Sequence, residues 1–330
     1  MYQTAYHTED ISKTSFLVTG GAGFIGSHLV EYLLKHGAAK VRVLDNFATG
    51  FRSNLEPFAG NPAFELFEGD IRDAETCFKA CEGIDFVSHQ AAMGSVPRSI
   101  KDPISTNDIN IGGFVNVLFA AVKQGVKRMV FASSSSVYGD DPTLPKEEDR
   151  TGRPLSPYAV TKVANEAYAR VAADFYDLEL IGFRYFNVFG PRQDPDSVYA
   201  AVIPKFIDKL ISGESVTIDG DGGQTRDFTF VANVVQANVK ALTTTNKDAL
   251  YQIYNIGAGG KASVLELYHH IREAVGSEAD PIHGETRAGD IRDSLANISK
   301  ARTLLGYEPD FDLSQGLVNT VSYFRERVTT

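Results

Sequence analysis

The sequence contains little of what several classes of protein require. It has no tryptophan, three methionines and two cysteines among 330 residues, and its 32 lysines and arginines are outnumbered by 42 aspartates and glutamates. The formal charge of -10 argues against a nucleic-acid partner, because a duplex-binding protein needs a basic face. An anionic small molecule can still bind where a few arginines converge.

Long hydrophobic runs are also missing. No apolar stretch approaches the roughly 18 to 20 residues of a membrane span, and residues 1–14 are polar and acidic, unlike a signal peptide. We therefore expect a cytoplasmic protein with no membrane partner, in which residues 1–14 are a frayed tail. Cys77 and Cys81 stand four apart without further cysteines, which predicts two buried thiols and neither a disulfide nor a metal site.

What is present is an alternation of β-rich runs with amphipathic segments, in a chain that is 43% hydrophobic. Strands that alternate with helices predict βαβ units, a parallel sheet and the α/β fold class. The predicted strands are 16–19, 41–45, 64–67, 86–89, 128–133 and 180–185. Two long helices are predicted over residues 103–124 and 157–176, from apolar residues at mixed three and four spacing.

A glycine-rich turn, TGGAGFIG, follows the first predicted strand and opens a helical run. Gly20, Gly23 and Gly26 allow a tight turn, a close approach of the backbone to a pyrophosphate and close packing of helix on strand. Asp45 ends the second strand, where a carboxylate would hold the adenosine ribose and repel a 2′-phosphate. The pattern predicts NAD, rather than NADP, on a Rossmann-type doubly wound sheet. Asp70 ends the third strand and either faces the adenine or caps a loop.

The regular alternation ends near Gly190, where prolines and a glycine cluster begin. We therefore predict an NAD-binding domain over residues 1–189 and a smaller mixed α/β substrate-binding domain over 190–330. Residues 228–242 and 253–256 have the patterns of a helix and a strand. The segment 228–256 is accordingly predicted to rejoin the first domain, which makes the two domains interleaved.

Tyr158 and Lys162 open the second long helix and lie four residues apart, on one helical face. An adjacent ammonium and an oxidised nicotinamide both favour the phenolate of a tyrosine, which can then take a proton from a sugar hydroxyl. Ser134 lies in the run SSSSVYG directly after the fifth strand, at the edge where open α/β sheets bind ligands. It can relay the proton; alternatively, the serine run satisfies its own backbone.

Four motifs, TGGAGFIG, SSSSVYG, SPYAVTK and RYFNVFG, together resemble the extended short-chain dehydrogenase/reductase family, and its sugar-nucleotide epimerases in particular, over nearly the whole chain. The resemblance implies Tyr158 as catalytic base, Lys162 as its partner on the nicotinamide ribose and Ser134 as hydroxyl relay. It also implies NAD contacts at Phe24, Ile25, Asn46, Thr49, Gly50, Asp70, Ile71, Gln90 and Tyr185.

The reaction within this family depends on two positions after Ser134. Sugar 4,6-dehydratases carry an Asp-Glu pair there, and the related decarboxylases a Glu at the second position, whereas this chain has Ser135 and Ser136. A 4-epimerase needs neither acid, so the resemblance implies 4-epimerisation through a 4-keto intermediate. A lyase and a non-catalytic nucleotide sensor on the same fold are the competing hypotheses.

The substrate implied by the resemblance is UDP-N-acetylglucosamine, with UDP-N-acetylgalactosamine as product. The segment 94–99 resembles epimerases of bacterial surface-polysaccharide pathways that take acetylated sugars, and Ser294 stands where galactose-restricted epimerases have a bulky tyrosine. UDP-glucose and the uronic acids are the alternatives, and a homodimer formed through the two long helices is expected. The implied substrate-binding residues are Ser95, Ser134, Ser135, Ser136, Asn187, Val202, Lys205, Thr217, Arg226, Arg287 and Ser294.

Overall fold

The computed structural model describes residues 1–195, 202–285 and 292–329, and all six predicted strands are present in it. In chain order, the strands are β1 (Ser15–Thr19), β2 (Lys40–Asp45), β3 (Phe64–Glu68), β4 (Phe86–His89), β5 (Arg128–Ser134), β6 (Glu179–Tyr185), β7 (Val188–Phe189), β8 (Thr217–Asp219), β9 (Thr225–Arg226), β10 (Thr229–Phe230), β11 (Gln252–Ile256), β12 (Ala262–Ser263) and β13 (Ile282–Gly284). The helices are α1 (Phe24–Lys35), α2 (Ala74–Ala80), α3 (Val96–Lys101), α4 (Pro103–Asn107), α5 (Gly113–Lys123), α6 (Pro157–Phe175), α7 (Val202–Ile211), α8 (Val231–Thr243), α9 (Val264–Val275), α10 (Ser299–Leu305) and α11 (Leu313–Thr329).

A seven-stranded parallel sheet in the order β11-β6-β5-β4-β1-β2-β3 carries the fold. Apolar clusters bury both of its faces, with Leu29 of α1 in one cluster and Phe114 of α5 in the other. The strand order reverses between β1 and β4, and ligands of open α/β sheets bind at the carboxyl edge of such a switch point. The predicted Rossmann-type α/β fold is confirmed.

Three short strand pairs form the smaller part of the fold: β7 with β10, β8 with β13, and β9 with β12. Helices α7, α9 and α11 contact one another beside them. Between these elements the chain returns to the large sheet, where α8 contacts β4 and β5, and β11 pairs with β6. The domain boundary at residues 189 and 190 stays a prediction.

The long helix predicted over residues 103–124 is interrupted, which corrects that prediction. A π-helical turn, Asp108–Gly112, joins α4 to α5. Asn110 is buried in this turn, where it accepts a hydrogen bond from the Met93 N–H at 2.7 Å and donates one to Thr161 Oγ1 at 3.2 Å. These bonds attach the turn to the loop after β4 and to α6, so a widened turn replaces the regular helix.

The frayed tail predicted for residues 1–14 is wrong. Tyr2 and Ile11 are each only 3% exposed. The Tyr32 hydroxyl on α1 accepts the Tyr6 N–H at 2.6 Å and bonds to His7 Nδ1 at 2.8 Å, and the rings of Tyr6 and Tyr32 stack 5.1 Å apart. Tyr32 therefore anchors the middle of the segment, and Lys35 and His36 of the same region bond to the carbonyl oxygens of Met1 and Tyr2.

Both cysteines are buried, as predicted, and burial raises the pKa of each thiol to about 12. Such thiols are inert, small apolar side chains. Within the described residues, no helix is long and apolar enough to cross a membrane. In the same part of the chain, no three His, Cys, Asp or Glu side chains are grouped as a metal site would require.

Candidate active site

The glycine turn between β1 and α1 is packed so closely that side chains are excluded. Gly20 has a φ of +68°, and a Cβ there would lie 2.7 Å from the backbone nitrogen of Ala91. A Cβ on Gly26 would lie 2.2 Å from the carbonyl oxygen of Gly20. No side chain caps α1, whose N-cap is Gly23. The N–H groups of its first turn can therefore bind an anion.

Asp45 lies at the carboxyl end of β2 and reaches back to this turn. Its carboxylate accepts the N–H of Ala22 at 2.9 Å and that of Phe47 at 2.8 Å. Burial raises the pKa of Asp45, although these backbone donors oppose the rise. A carboxylate has about four acceptor sites, so it can still accept a hydroxyl of a ribose.

Of the two roles predicted for Asp70, the structure shows that of a loop cap. It holds its own loop, because Oδ1 accepts the Arg72 N–H at 2.9 Å and Oδ2 accepts the Arg72 guanidinium at 2.7 Å and the Asn46 amide at 2.8 Å. The hydrogen bond from the Arg72 side chain lowers the pKa of Asp70 to about 2. Asp70 also lines the cleft described next.

A cleft of about 710 Å³ runs along the carboxyl edge of the sheet. Every residue predicted to bind the cofactor lines it. They are Gly20, Gly23, Phe24, Ile25, Gly26, Asp45, Asn46, Thr49, Gly50, Asp70, Ile71, Gln90, Tyr158, Lys162 and Tyr185. The candidate cofactor residues predicted from the sequence therefore all line one cavity.

Tyr158 and Lys162 lie at one end of this cleft, in the first turns of α6, which Ser156 caps by accepting the Ala159 N–H. Lys162 is 2% exposed, and its ammonium donates to the carbonyl oxygen of Ala132 at 2.7 Å. Burial lowers the pKa of Lys162 to about 8. Burial also raises the pKa of Tyr158, against a lowering hydrogen bond from Ser134. The protein alone therefore favours the neutral phenol.

The serines at the end of β5 have different surroundings. Ser133 lines the cleft and donates to Glu166 Oε1 at 2.5 Å. The Ser134 hydroxyl accepts the Ser136 N–H at 3.1 Å and lies in hydrogen-bonding contact with Tyr158. Ser136 Oγ is buried and has no hydrogen-bond partner within the described residues. A buried hydroxyl of that kind is suited to bond a ligand or a water.

A second cavity, of about 280 Å³, lies in the smaller part of the fold and is lined by residues of β7, α7, β8 and β9 and of the segments beside them. Four of the predicted substrate residues line it: Asn187, Val202, Thr217 and Arg226. Asn187 has a φ of +32°, and its amide donates to the Asp227 carbonyl at 3.1 Å. Apolar rings of Phe189, Phe206 and Phe228 complete the wall.

The other predicted substrate residues lie elsewhere. Lys205 is exposed on α7, and the structure does not bring it to the cavity, because the inward face of that helix carries Ile203 and Phe206. Ser95 caps α3 by accepting the Arg98 N–H at 3.2 Å. Ser294 lies beside β9, to whose Thr225 carbonyl its N–H donates at 3.1 Å. Ser135 lies in the 3-10 turn after β5, and Arg287 lies outside the described residues.

Sequence reasoning missed polar residues that hold the predicted ones in place. Asn238 of α8 donates to the Tyr185 hydroxyl at 2.9 Å and accepts from the Gln90 amide at 3.0 Å. The Tyr185 hydroxyl donates to Gln90 Oε1 at 3.2 Å, which closes the network. Glu166 and Arg184 form a buried ion pair below Lys162. The sequence signal that could have revealed Glu166 was its spacing, one helical turn after Lys162.

These features match a known family. The model of the NAD dependent epimerase/dehydratase family matches residues 16–257. The chain belongs to this family. A putative UDP-glucose 4-epimerase of Methanocaldococcus jannaschii is 39% identical over 316 residues, which are 95% of this chain and 99% of the relative.

Solved structures agree with this membership of the NAD-dependent epimerase/dehydratase family. The UDP-glucose 4-epimerase of Thermotoga maritima with UDP-glucose has a TM-score of 0.89 at 36% identity, covering 96% of this chain and 100% of that one. The UDP-N-acetylglucosamine 4-epimerase of Methanobrevibacter ruminantium in complex with UDP-N-acetylmuramic acid has a TM-score of 0.90 at 36% identity, covering 96% and 99%. The resemblance stated from the motifs is confirmed.

The cofactor of the family is NAD, and the cleft fits it. A Cβ on Gly23, at the start of α1, would meet a single neighbour within 4 Å, the Gly20 carbonyl oxygen at 3.2 Å. Space at this helix N-terminus is therefore open toward the cleft, as a pyrophosphate requires. The carboxylate of Asp45 at the far end suits the unphosphorylated ribose of NAD.

Proposed function

We propose that this chain catalyses the NAD-dependent, reversible 4-epimerisation of UDP-N-acetylglucosamine to UDP-N-acetylgalactosamine. The observation that carries the proposal is the pairing of Tyr158 with the buried Lys162, whose ammonium lies 5.8 Å from the centre of the Tyr158 ring, in the lining of the cofactor cleft. This arrangement suits removal of a proton from a hydroxyl on a carbon that loses hydride.

In the proposed reaction Ser134 receives the proton of the sugar 4-hydroxyl and passes it to the oxygen of Tyr158. The ammonium of Lys162, 5.8 Å from the centre of the Tyr158 ring, stabilises the phenolate that accepts it. When bound, NAD takes the hydride from C4 and returns it. Between the two transfers the 4-keto sugar turns its other face to the cofactor, and Tyr158 gives the proton back, so no net oxidation occurs.

Elimination chemistry is disfavoured by the surroundings of the same strand end. Ser135 and Ser136 carry no carboxyl group that could expel water. Glu166 does contact this strand through Ser133, but both of its oxygens are bonded to Arg184. The carboxylate is thus engaged by Arg184 and Ser133 rather than presented to the cleft.

The second cavity is proposed to hold the uridine diphosphate. Arg226 and the amide of Asn187 supply polar contacts at one side, while Val202 and Thr217 lie where a base and ribose would pack. Arg287 is retained as a second diphosphate ligand on the strength of its sequence position. Ser294, beside β9, is proposed to leave room for the 2-acetamido group and to bond it.

The substrate is tested with purified, NAD-loaded protein and no added reductant. UDP-N-acetylglucosamine should give the galacto epimer at unchanged mass, observed by anomer-resolved NMR. UDP-glucose and UDP-N-acetylglucosaminuronic acid are measured at the same concentrations. We expect kcat/KM for UDP-N-acetylglucosamine to exceed that for UDP-glucose by about tenfold. The reason is that a polar group of the pocket left without a hydrogen-bond partner costs about 1–3 kcal/mol.

Ser294→Tyr is the variant that tests the pocket. It should reduce turnover of the acetylated sugar far more than that of UDP-glucose. Equal losses on both sugars, or a wild-type preference for UDP-glucose or the uronic acid, would keep the epimerase and correct the substrate. Loss of water or carbon dioxide from the product would replace the epimerase by a lyase.

We also propose that the protein is a homodimer formed through α3, α4 and α6. These helices contact one another and expose large apolar side chains: Ile100 is 63% exposed, Ile104 81%, Val171 54% and Phe175 75%. Large apolar side chains exposed on neighbouring helices are typical of a protein interface. Helices α3, α4 and α6 therefore carry apolar side chains that the monomer's own core does not cover.

The oligomeric state follows from light scattering at micromolar concentration. The wild-type protein should have twice the mass of the chain, and the double variant Ile104→Asp, Phe175→Asp should have the mass of one chain, because two charges would be buried at the interface. Ile282→Asp, at a residue 57% exposed on β13, is the matched control and should stay dimeric. A monomeric wild type, or a double variant of unchanged mass, contradicts the proposed interface.

A further inference from the structure

A buried ion pair lies directly behind the Tyr158 and Lys162 pair. Glu166 of α6 and Arg184 of β6 have side chains that are 13% and 5% exposed. Arg184 Nε donates to Glu166 Oε1 at 2.9 Å, and its terminal nitrogen donates to Oε2 at 2.8 Å. This is the two-pronged geometry in which a guanidinium binds a carboxylate most firmly.

The ion pair is fixed from behind as well. Another nitrogen of Arg184 donates to the Glu148 carbonyl at 3.0 Å, and the guanidinium lies 4.8 Å above the centre of the Tyr138 ring. Burying two charges is costly, and a well-packed apolar pair is often as stable. A role beyond stability is therefore worth seeking for Glu166.

Glu166 is connected in two ways to the residues that surround Tyr158. It follows Lys162 by one helical turn, on the same face of α6. Its Oε1 also accepts the hydroxyl of Ser133. Ser133 stands between Ala132, whose carbonyl oxygen holds the Lys162 ammonium, and the relay residue Ser134. One carboxylate thus holds the strand segment that positions both partners of Tyr158.

The charges around Lys162 single out Glu166. On β4, burial lowers the pKa of His89 to about 3, so that ring is neutral. On β5, the ammonium of Lys162 contacts the uncharged carbonyl oxygen of Ala132. On β6, the positive charge of Arg184 is compensated by Glu166 itself. Burial lowers the pKa of Lys162, and the negative charge of Glu166 opposes that effect. The pKa of Tyr158 is raised by burial and lowered by the hydrogen bond from Ser134, so Glu166 does not shift it directly.

We propose that Glu166 is a positioning residue that keeps Lys162 protonated and aligned, and thereby permits Tyr158 to ionise. The inference rests on the proposed function in assigning Tyr158 as the base. It concerns the ionisation of that tyrosine, however, and does not depend on which sugar is bound.

The test is a spectrophotometric titration of the NAD-loaded protein without sugar. The chain has no tryptophan, so tyrosinate absorbance is free of indole overlap, and the difference from a Tyr158→Phe protein isolates Tyr158. In Glu166→Gln the midpoint of Tyr158 ionisation should rise by about one pH unit, because the negative charge that opposes the lowering of the Lys162 pKa is removed and Lys162 becomes easier to deprotonate. Glu166→Asp withdraws the charge by one methylene and should give a midpoint between the two.

The matched control is Glu179→Gln, which removes the acid of another ion pair that involves β6, here with β5 instead of α6. Glu179 bonds Arg128 at 2.6 Å at the opposite end of β5 and β6. Its removal should cost stability and leave the Tyr158 midpoint unchanged. The inference is overturned if Glu166→Gln titrates like the wild type, or, should that variant not fold, if Glu166→Asp does. A shifted midpoint in a protein inactive on every UDP-sugar would keep the inference and reject the epimerase.

Discussion

Replacing Tyr158 by phenylalanine is expected to lower kcat by about 10³-fold, the scale of general acid–base catalysis. The change removes one oxygen, the one in contact with Ser134 at the end of the cleft. The ring and the Lys162 ammonium stay in place, and the glycine turn that would hold the pyrophosphate is untouched. NAD should therefore stay bound in its wild-type ratio, measured after extraction from the purified protein.

Tyr168→Phe provides the control for this variant. Tyr168 lies on the same helix but is 48% exposed, so its hydroxyl should have no effect on turnover. A Tyr158→Phe protein with largely intact activity would remove Tyr158 as the base. Equal losses in both variants would point to damage of α6 rather than to loss of a catalytic oxygen.

Gly26→Ala should release the cofactor. The new Cβ would lie 2.2 Å from the Gly20 carbonyl oxygen, and Gly20 cannot retreat because it is itself packed on the backbone of Ala91. Overpacking of this kind costs about 1–3 kcal/mol, and distortion of the turn moves the N–H groups that bind pyrophosphate. We expect NAD affinity to fall at least about tenfold, measured by NAD content and by calorimetric titration.

Gly60→Ala is the matched substitution, since a Cβ at Gly60 would meet no atom within 4 Å. It should retain NAD and its melting temperature. If Gly26→Ala bound NAD as tightly as the wild type, the turn would be wider than described, and the cleft would have to hold the pyrophosphate elsewhere.

The predictions from sequence succeeded where a residue's place follows from a strand end. The cofactor residues come directly after strands of one parallel sheet, and the carboxyl ends of parallel strands meet at one edge. Asp45, Asp70 and Gln90 therefore converge although they are far apart in the chain. The pairing of Tyr158 with Lys162 was similarly predictable, because helical spacing alone puts them on one face.

Residues that act through a distant partner were not predictable. Arg184 and Glu166 each look like an exposed charge in the sequence, and only the neighbouring positions of β5, β6 and α6 bring them together. The docking of residues 1–14 depends on the hydroxyl of Tyr32, which has no periodic signature. Lys205 was predicted only from the resemblance of its segment to the loop that holds the uracil and ribose, and its side chain is exposed on α7, whereas Ile203 and Phe206 face inward.

An experiment with deuterium at C4 of the sugar is the most direct test of hydride transfer at that carbon. NAD-loaded protein is incubated in ordinary water with UDP-N-acetylglucosamine, or whichever UDP-sugar it turns over, labelled with deuterium at C4. We predict that the 4-epimer keeps its deuterium at C4, because the hydride leaves and returns within one closed site. A product with hydrogen from water at C4, or one that has lost water, would contradict hydride transfer at C4 and with it the roles assigned to Tyr158 and Lys162.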